Sequence, residues 1–298
     1  MGDAVSGVLL LDKPSGPSSN AVLQRARRLL GAARAGHTGT LDPLASGLLV
    51  ITLGEATKFS GSLLEADKAY RARMKLGERT STGDAEGEVL SRSDAAVSES
   101  ALRAALERFR GEIEQVPPMY AAIKREGRPL YAYARRGETV ERAPRRVAIR
   151  RLELESFGRG EAVLFIECSK GTYIRTLAED IGEALGCGAH LAALQRVAVG
   201  SFALEQAVTL DALEAMASPA RREHLLPLQS LLCAWPRLRL GAELSAKFRQ
   251  GRAVPTDASD GKVAVFAGDE AFLGTGEVSD GTLQPKRLLA ASGSGKGL

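Results

Sequence analysis

The sequence predicts an α+β fold, and three observations carry that prediction. Residues 68–77 place Tyr70, Ala72, Met74 and Leu76 alternately with charged residues, the period of two expected of a half-buried strand. Residues 20–30 and 98–109 instead repeat apolar side chains at intervals of three and four, the period of a helix with one buried face. Near Trp235-Pro236 helical patterning recedes, and short β-prone segments, 262–266 and 271–274, alternate with glycine-rich turns. A domain boundary is expected at residue 235.

Taken in order, Gly7-Val8-Leu9-Leu10-Leu11-Asp12 reads as a short buried strand, closed by the turn-forming Lys13-Pro14-Ser15-Gly16-Pro17. Ser18 or Ser19 can cap a helix over 20–30, with Val22, Leu23, Ala26, Leu29 and Leu30 on one face and Gly31 as its stop. Its other face carries Gln24, Arg25, Arg27 and Arg28 and suits a phosphate backbone. Next come Gly36-His37-Thr38-Gly39-Thr40-Leu41-Asp42-Pro43-Leu44-Ala45-Ser46-Gly47 and the apolar run Leu48-Leu49-Val50-Ile51. Pro43 fixes its own φ and biases Asp42 toward an extended conformation, so this carboxylate sits on a stiff turn. Two readings of it stand at this point: a turn Asp that bonds its own backbone, or a carboxylate presented to a cleft.

Residues 48–52 read as a strand, 54–59 as a helix start, and 68–77 as the half-buried strand with Tyr70 on its apolar face. A polar loop, 80–87, and the helix 98–109, ended by Gly111, lead to a basic segment. Between residues 121 and 151 ten Lys and Arg, among them Lys124, Arg135 and Arg136, stand against three Glu, although the whole chain carries only +4. Tyr120, Tyr131 and Tyr133 are interleaved with these cations. Such a run is either a solvated charged face or the footprint of nucleic-acid binding, where bases stack on the rings. Strands follow at 145–154 and 161–168, and then Ser169-Lys170-Gly171-Thr172-Tyr173-Ile174-Arg175, a strand-to-helix junction projecting Tyr173 and Arg175. The helix runs toward Leu185, and Gly186-Cys187-Gly188 breaks it. Residues 191–200 read as a short helix running into a strand, 210–217 as a helix, and the surroundings of Pro219 as a loop. The tail 291–298 is low in complexity and expected to be disordered.

Several function classes are excluded. Cys168, Cys187 and Cys233 are scattered and show no metal-type spacing, and the chain has only three histidines, so neither a disulfide framework, a structural zinc site nor metal catalysis is expected. No apolar run approaches the roughly 20 residues of a membrane span, and the N-terminus lacks a basic leader, so a cytoplasmic protein is expected. The glycines of residues 36–47 come without a Walker lysine, which argues against a phosphate loop.

If Asp42, His37, Tyr70, Tyr173 and Arg175 line one cleft, its chemistry is restricted. A carboxylate can act as a nucleophile, an arginine beside it aims it, and two tyrosines grip a planar ring. With no metal, thiol or Ser-His-Asp set, this suits covalent chemistry on a nucleobase or sugar better than hydrolysis.

The strings GVLLLDKPSGPSSN, AGHTGTLDPLASGLLV, GEATKFS, KAYRA, QVPPMYAAIKREGRPLYAYARRG, SKGTYIRTLAEDIG and LQRVAVG, in this order and spacing, resemble the bacterial TruB family, the tRNA pseudouridine-55 synthases. FLGTGEV and LQPKRLLA resemble the small PUA-like RNA-binding domain that ends these enzymes. The resemblance implies a pseudouridine synthase fold, with a mixed, largely antiparallel central sheet flanked by helices over residues 1–235. A β-rich PUA-like domain over 236–290 and the tail 291–298 would follow. It implies isomerisation of the T-loop uridine of tRNA, with Asp42 as the nucleophile at uracil C6 or ribose C1′. Tyr70 would stack on the base and is a candidate acceptor of the C5 proton; Arg175 would pair with the carboxylate. Tyr173 and Leu194 would line the pocket, His37 would fill the space left by flipped bases, and Lys13 and Pro14 would be framework. Lys124, Arg135 and Arg136 would contact phosphates. No cofactor is implied, since isomerisation conserves all atoms. The expected partner is the tRNA T stem-loop, with neither a membrane nor a protein partner, the chain acting as a monomer. A non-catalytic RNA-binding or tRNA-folding protein is the alternative, as is a synthase that works on a protein scaffold with a guide RNA.

Overall fold

A computed structural model describes residues 5–121, 123–125 and 127–290, with only the backbone of Lys124; the expected disordered tail, 291–298, lies outside the described residues. The apolar run after Ser6 forms β1 (Gly7–Lys13), and helix α1 (Ser19–Leu30) follows the proline loop. Ser18 caps α1 by accepting from the Ala21 N–H, and Gly31 ends it at φ 65°, a left-handed conformation that costs glycine little. Of its basic face, Arg25 is engaged in an ion pair with Glu214. Strand β2 (Ala35–His37) pairs with β3 (Ser46–Leu53), and the Asp42 loop connects them. Along β3, Leu49, Ile51 and Leu53 pack against α1, while Leu48 and Val50 pack on the opposite side, so a continuous apolar run marks a strand covered on both faces.

The expected helix start at residue 54 is a ten-residue 3₁₀ helix, Gly54–Leu63. Strand β4 (Lys68–Leu76) keeps the expected alternation, with Ala72, Met74 and Leu76 buried and Arg71 and Arg73 exposed. A hairpin of β5 (Glu78–Thr80) and β6 (Val89–Arg92) takes the polar loop, and α2 (Glu99–Glu107) is capped by Ser98. Strand β7 (Gly111–Gln115), unforeseen in the sequence, begins at the glycine expected only to stop the helix. The basic segment folds as a two-residue hairpin, β8 (Lys124–Arg125) with β9 (Arg128–Pro129), and a short helix α3 (Leu130–Ala134). Strands β10 (Arg145–Gly158) and β11 (Glu161–Cys168) then lead through the Tyr173 junction into α4 (Ile174–Ala184).

The expected short helix after residue 190 is absent: β12 (Ala189–Val199) is one strand, antiparallel to β4 and parallel to β3. Register irregularities at Leu191/Ala193 and Arg196/Ala198 break the period of two, which is why Leu-Ala-Ala-Leu-Gln mimics a helix in sequence. After β13 (Phe202–Ala203) and β14 (Val208–Thr209), helix α5 (Leu210–Ala215) ends two residues earlier than expected. The loop expected around Pro219 is helix α6 (Ser218–Glu223), with the proline in the first turn, where its missing N–H costs nothing. Strand β15 (Leu225–Leu226) closes this part of the chain.

The central sheet runs β14-β1-β3-β12-β4-β11-β10-β7, with β13, β15 and β2 pairing off that path. Only β1/β14 and β3/β12 are parallel, so the sheet is mixed and largely antiparallel, as the family resemblance implies. Beyond residue 235, β16 (Arg237–Leu240) opens a second sheet, and helix α7 (Ala242–Arg249) stands where helical patterning was expected to fade. The sheet is completed by β17 (Val254–Pro255), β18 (Gly261–Ala267), β19 (Phe272–Ser279) and β20 (Thr282–Leu288), in the order β16-β18-β19-β20-β17. Phe266 and Phe272 of this sheet share an apolar cluster with Val8, Leu10, Val50 and Phe59, and the Phe59 and Phe272 rings meet edge to face at 5.3 Å. The two sheets are thereby joined through a common core.

Candidate active site

The Asp42 turn is fastened from three sides. Ser19, at the buried start of α1, accepts from the Leu41 N–H and donates to the Leu41 carbonyl, both at 2.8 Å. The Lys13 side chain is fully buried at the end of β1 and donates to the carbonyls of Ala45 (2.6 Å), Pro14 (2.9 Å) and Pro43 (3.4 Å). Burial pushes the Lys13 amine down to about 8, with the Asp42 charge opposing the shift. The Gly16 N–H adds a bond to the Pro43 carbonyl at 2.8 Å. Apart from the Lys13 bond to Pro14, each of these contacts reaches the backbone of the turn and leaves the Asp42 carboxylate free to point elsewhere.

Its partner is Arg175, in the first turn of α4, whose Nη2 lies 3.0 Å from Asp42 Oδ2. Among the described residues no backbone donor bonds the Asp42 side chain, so the self-bonded turn is not what the loop builds. Arg175 is 5% exposed and Asp42 43%. A buried guanidinium needs its charge and donors met. Nη1 donates to the Thr82 carbonyl at 3.1 Å, Nη2 to the Tyr120 carbonyl at 2.7 Å, and Nε faces Asp84 at 3.6 Å. Asp84 is itself buried and accepts from the Thr82 hydroxyl and the Glu86 N–H.

Asp42, Tyr70, Tyr173, Arg175 and Leu194 line one cleft of about 290 Å³. Tyr70 comes from β4 and Leu194 from the neighbouring β12, where Leu194 pairs with Ala72. Tyr173 stands at the N-terminal boundary of α4, clipped by the buried Gln115, which accepts from its N–H and donates to its carbonyl. Burial pushes both phenols up, that of Tyr70 against the pull of the adjacent Arg196 guanidinium. The rings therefore enter the cleft as neutral, flat faces. An aimed carboxylate beside two aromatic faces and an apolar wall fits attack on a planar, uncharged ring.

The remaining expected residues lie apart. His37 ends β2 and does not line the cleft, though the next residue, Thr38, does. Burial and Arg196 push its imidazole down, and its Nδ1 is buried without a partner among the described residues. Arg135 and Arg136 follow α3, and Arg135 lies 5.4 Å over the Tyr131 ring. Lys124 lies in β8, but its side chain is outside the described residues. The basic segment is tied to the cleft rim by the Tyr131 N–H, which bonds the Ala121 carbonyl. Part of its charge is spent within the fold: Arg146, Arg150 and Arg151 pair with Glu114, Asp67 and Glu153.

Two residues that line the cleft and one behind it escaped sequence reasoning. Arg196, 2% exposed in β12, donates to the carbonyls of Leu48 (2.8 Å), Gly39 (3.0 Å) and Thr40 (3.4 Å), bracing the approach to Asp42. Lys68 gathers the carbonyls of Leu63, Leu64 and Ala66 at the end of the 3₁₀ helix. Asp84 backs Arg175. Arg196 lies within the quoted string LQRVAVG, whereas Asp84 sits in a polar loop with no signal of burial.

Comparison with known proteins agrees along the chain. A family sequence model described as TruB family pseudouridylate synthase (N terminal domain) matches residues 27–174. Models described as tRNA pseudouridylate synthase B C-terminal domain and Pseudouridine synthase II TruB, C-terminal, match residues 175–233 and 236–289. The chain is 56% identical over 294 residues to tRNA pseudouridine synthase B of Burkholderia mallei (strain NCTC 10247), an alignment spanning 96% of this chain and 97% of that protein. It is equally 56% identical, over 288 residues, to tRNA pseudouridine synthase B of Azoarcus sp. (strain BH72), spanning 96% and 95%. Among solved structures, one chain of a Cbf5-Nop10-Gar1 complex superposes with a TM-score of 0.74 at 26% identity, over 95% of this chain and 84% of that one.

Proposed function

We propose, since the chain belongs to the TruB family of pseudouridylate synthases, that it converts the T-loop uridine at position 55 of tRNA to pseudouridine, with Asp42 as nucleophile. The observation that carries this reading is the 3.0 Å pair of Asp42 with the buried Arg175, in a cleft faced by Tyr70, Tyr173 and Leu194.

A uridine stacked in a folded loop offers neither C6 nor C1′ to a side chain, so it must be turned out of the RNA at a cost of a few kcal/mol. Stacking on Tyr70 offsets part of that, about 1–3 kcal/mol per base. Asp42 then adds to uracil C6 or ribose C1′. In the C6 route the N1–C1′ bond of the adduct breaks, the uracil turns, C5 bonds to C1′, and Asp42 is eliminated from C6 as the C5 proton is lost. In the C1′ route Asp42 displaces N1 from C1′, the uracil turns, C5 displaces Asp42 from C1′, and the C5 proton is then lost. In both, N1 ends protonated. Tyr173 and Leu194 confine the detached base during that turn. Arg175 fixes the carboxylate throughout. Tyr70 takes the C5 proton as the phenolate, a form that burial disfavours and the Arg196 guanidinium beside it favours.

On this reading residues 1–235 are the catalytic part, and 236–290 a PUA-like RNA-binding domain. His37 fills the space the extruded bases leave, and Lys124, Arg135 and Arg136 hold phosphates. Recognition is by the shape of the loop and by backbone contacts, which makes binding steeply salt-dependent. The enzyme works in the cytoplasm, as a monomer and without a protein partner.

The test uses tRNA tritiated at uridine C5. The wild-type chain alone should release tritium from full-length tRNA and from a bare T stem-loop. Asp42→Asn should release none while still binding tRNA. Substantial release by this variant would remove Asp42 from the nucleophile's role, and no release by the wild type would leave a non-catalytic RNA-binding protein.

A further inference from the structure

A second cavity, of about 540 Å³, opens between the 3₁₀ helix Gly54–Leu63 and the C-terminal sheet. That volume is within the range of small-ligand sites, about 300–1,000 Å³. Its apolar wall is Phe59, Leu232 and Trp235. Phe59 is anchored in the core joining the two sheets, so this wall is rigid, whereas the Trp235 ring is only half-buried. Four cations, Lys58, Lys262, Lys286 and Arg287, face one carboxylate, Glu277, across the opening. Lys58 and Lys286 are paired, with Glu55 at 2.6 Å and Glu277 at 2.7 Å. Lys262 and Arg287 have no ion-pair partner among the described residues, and the Lys262 ammonium stands 5.9 Å from the Trp235 ring centroid.

This cavity adjoins the catalytic cleft. Ser62 lines the cavity, and Leu64, two residues on, lines the cleft. Glu65 pairs with Lys170 on the cleft rim, which holds its carboxyl down, and Lys262 adds to this from the cavity side. Lys170 and Lys262 thus flank Glu65 between the cleft rim and the cavity mouth. An aromatic face beside two unpaired cations is the arrangement that holds a nucleotide, with its base flat on the ring and its phosphate on the cations.

We infer that this cavity takes an unpaired nucleotide of the bound RNA, its base on Trp235 and its phosphates on Lys262 and Arg287. The inference rests on RNA being the substrate proposed above.

Trp235 is the only tryptophan of the chain, so its fluorescence reports this cavity alone. The experiment titrates tRNA transcript into the Asp42→Asn protein, which binds without turnover, and repeats it with Lys262→Glu/Arg287→Glu added. Both added changes are at exposed side chains, and a matching thermal melt checks the fold. In the Asp42→Asn protein, tRNA should quench the tryptophan. With the double change the quench should disappear, and in an otherwise wild-type chain the same change should raise KM for tRNA about tenfold with kcat unaltered. No quench by tRNA, or a quench that survives the double change, overturns the inference. So does a quench by free UMP or AMP but not by tRNA, which would make this a site for a free nucleotide. Because the quench is read without turnover, its failure is separate from a failure of tritium release.

Discussion

Arg175 is almost wholly buried, yet its guanidinium ends 3.0 Å from the carboxylate of Asp42, a side chain more than two-fifths exposed. The buried Asp84 makes this arrangement tolerable, since it meets the guanidinium from behind at 3.6 Å. One cation thus spans an interior carboxylate and a cleft carboxylate, and its planar fork also satisfies two carbonyls.

Arg175→Lys retains the charge but not the fork. A lysine ammonium cannot reach Asp42, Asp84 and the carbonyls of Thr82 and Tyr120 together, so Asp42 loses its fixed direction. A loss of roughly 2.7 kcal/mol in positioning the transition state corresponds to about a 100-fold slower reaction. Single-turnover tritium release should fall by about that factor, while tRNA affinity changes less than about threefold. A rate within a factor of two of wild type would show that Asp42 is aimed by its loop alone.

Asp180, on α4, provides a pH dependence. Burial, with Glu183 adding to it, raises its carboxyl from 3.8 to about 6. A carboxyl raised in the folded state contributes stability that is fully present below pH 3.8 and is lost as pH rises through about 6. Asp180→Asn keeps a neutral side chain at every pH and escapes that loss. The melting temperature of the variant minus that of wild type should therefore be close to zero at pH 4, rise between pH 4 and about pH 6, and level off by about pH 7. A difference that stays constant across this range would mean that Asp180 titrates alike in the folded and unfolded chains.

Much of this fold was legible because the signals were local. The alternation along β4, the serine cap of α1 and the buried run of β3 each follow from a few consecutive residues. What escaped depends on partners distant in sequence. The helix expected after residue 190 is instead β12 because β3 and β4 flank that segment and supply its hydrogen bonds. The cleft shows the same division. Asp42, Tyr70, Tyr173, Arg175 and Leu194 come together as expected. Asp84 and Arg196 were not singled out, because what marks them is burial among distant carbonyls and charges rather than any pattern nearby. In the basic run, Arg146 and Arg150 pair with Glu114 and Asp67, partners distant in sequence that no local pattern announces.

Gly47 is the point where three strands crowd together, and a single methyl should disturb the cleft from there. It pairs with Lys13 on β1 and with Arg196 on β12, and its φ of +98° suits glycine. A Cβ at this position would lie 2.3 Å from the Arg196 carbonyl oxygen and 2.8 Å from its nitrogen, both backbone atoms that cannot rotate away. Gly47→Ala must therefore push β12 off β3 and carry the Arg196 side chain from the carbonyls of Gly39 and Thr40 that it braces. Strained φ and backbone displacement together should cost at least about 2 kcal/mol in urea unfolding. Tritium release by the fraction that remains folded should fall as well, since Thr40 is two residues from Asp42. Gly158→Ala is the control: a Cβ there meets nothing within 4 Å, and its stability should stay within about 0.5 kcal/mol of wild type. If Gly47→Ala is as stable and as active as this control, the contact between Gly47 and Arg196 does not set the geometry of the Asp42 loop.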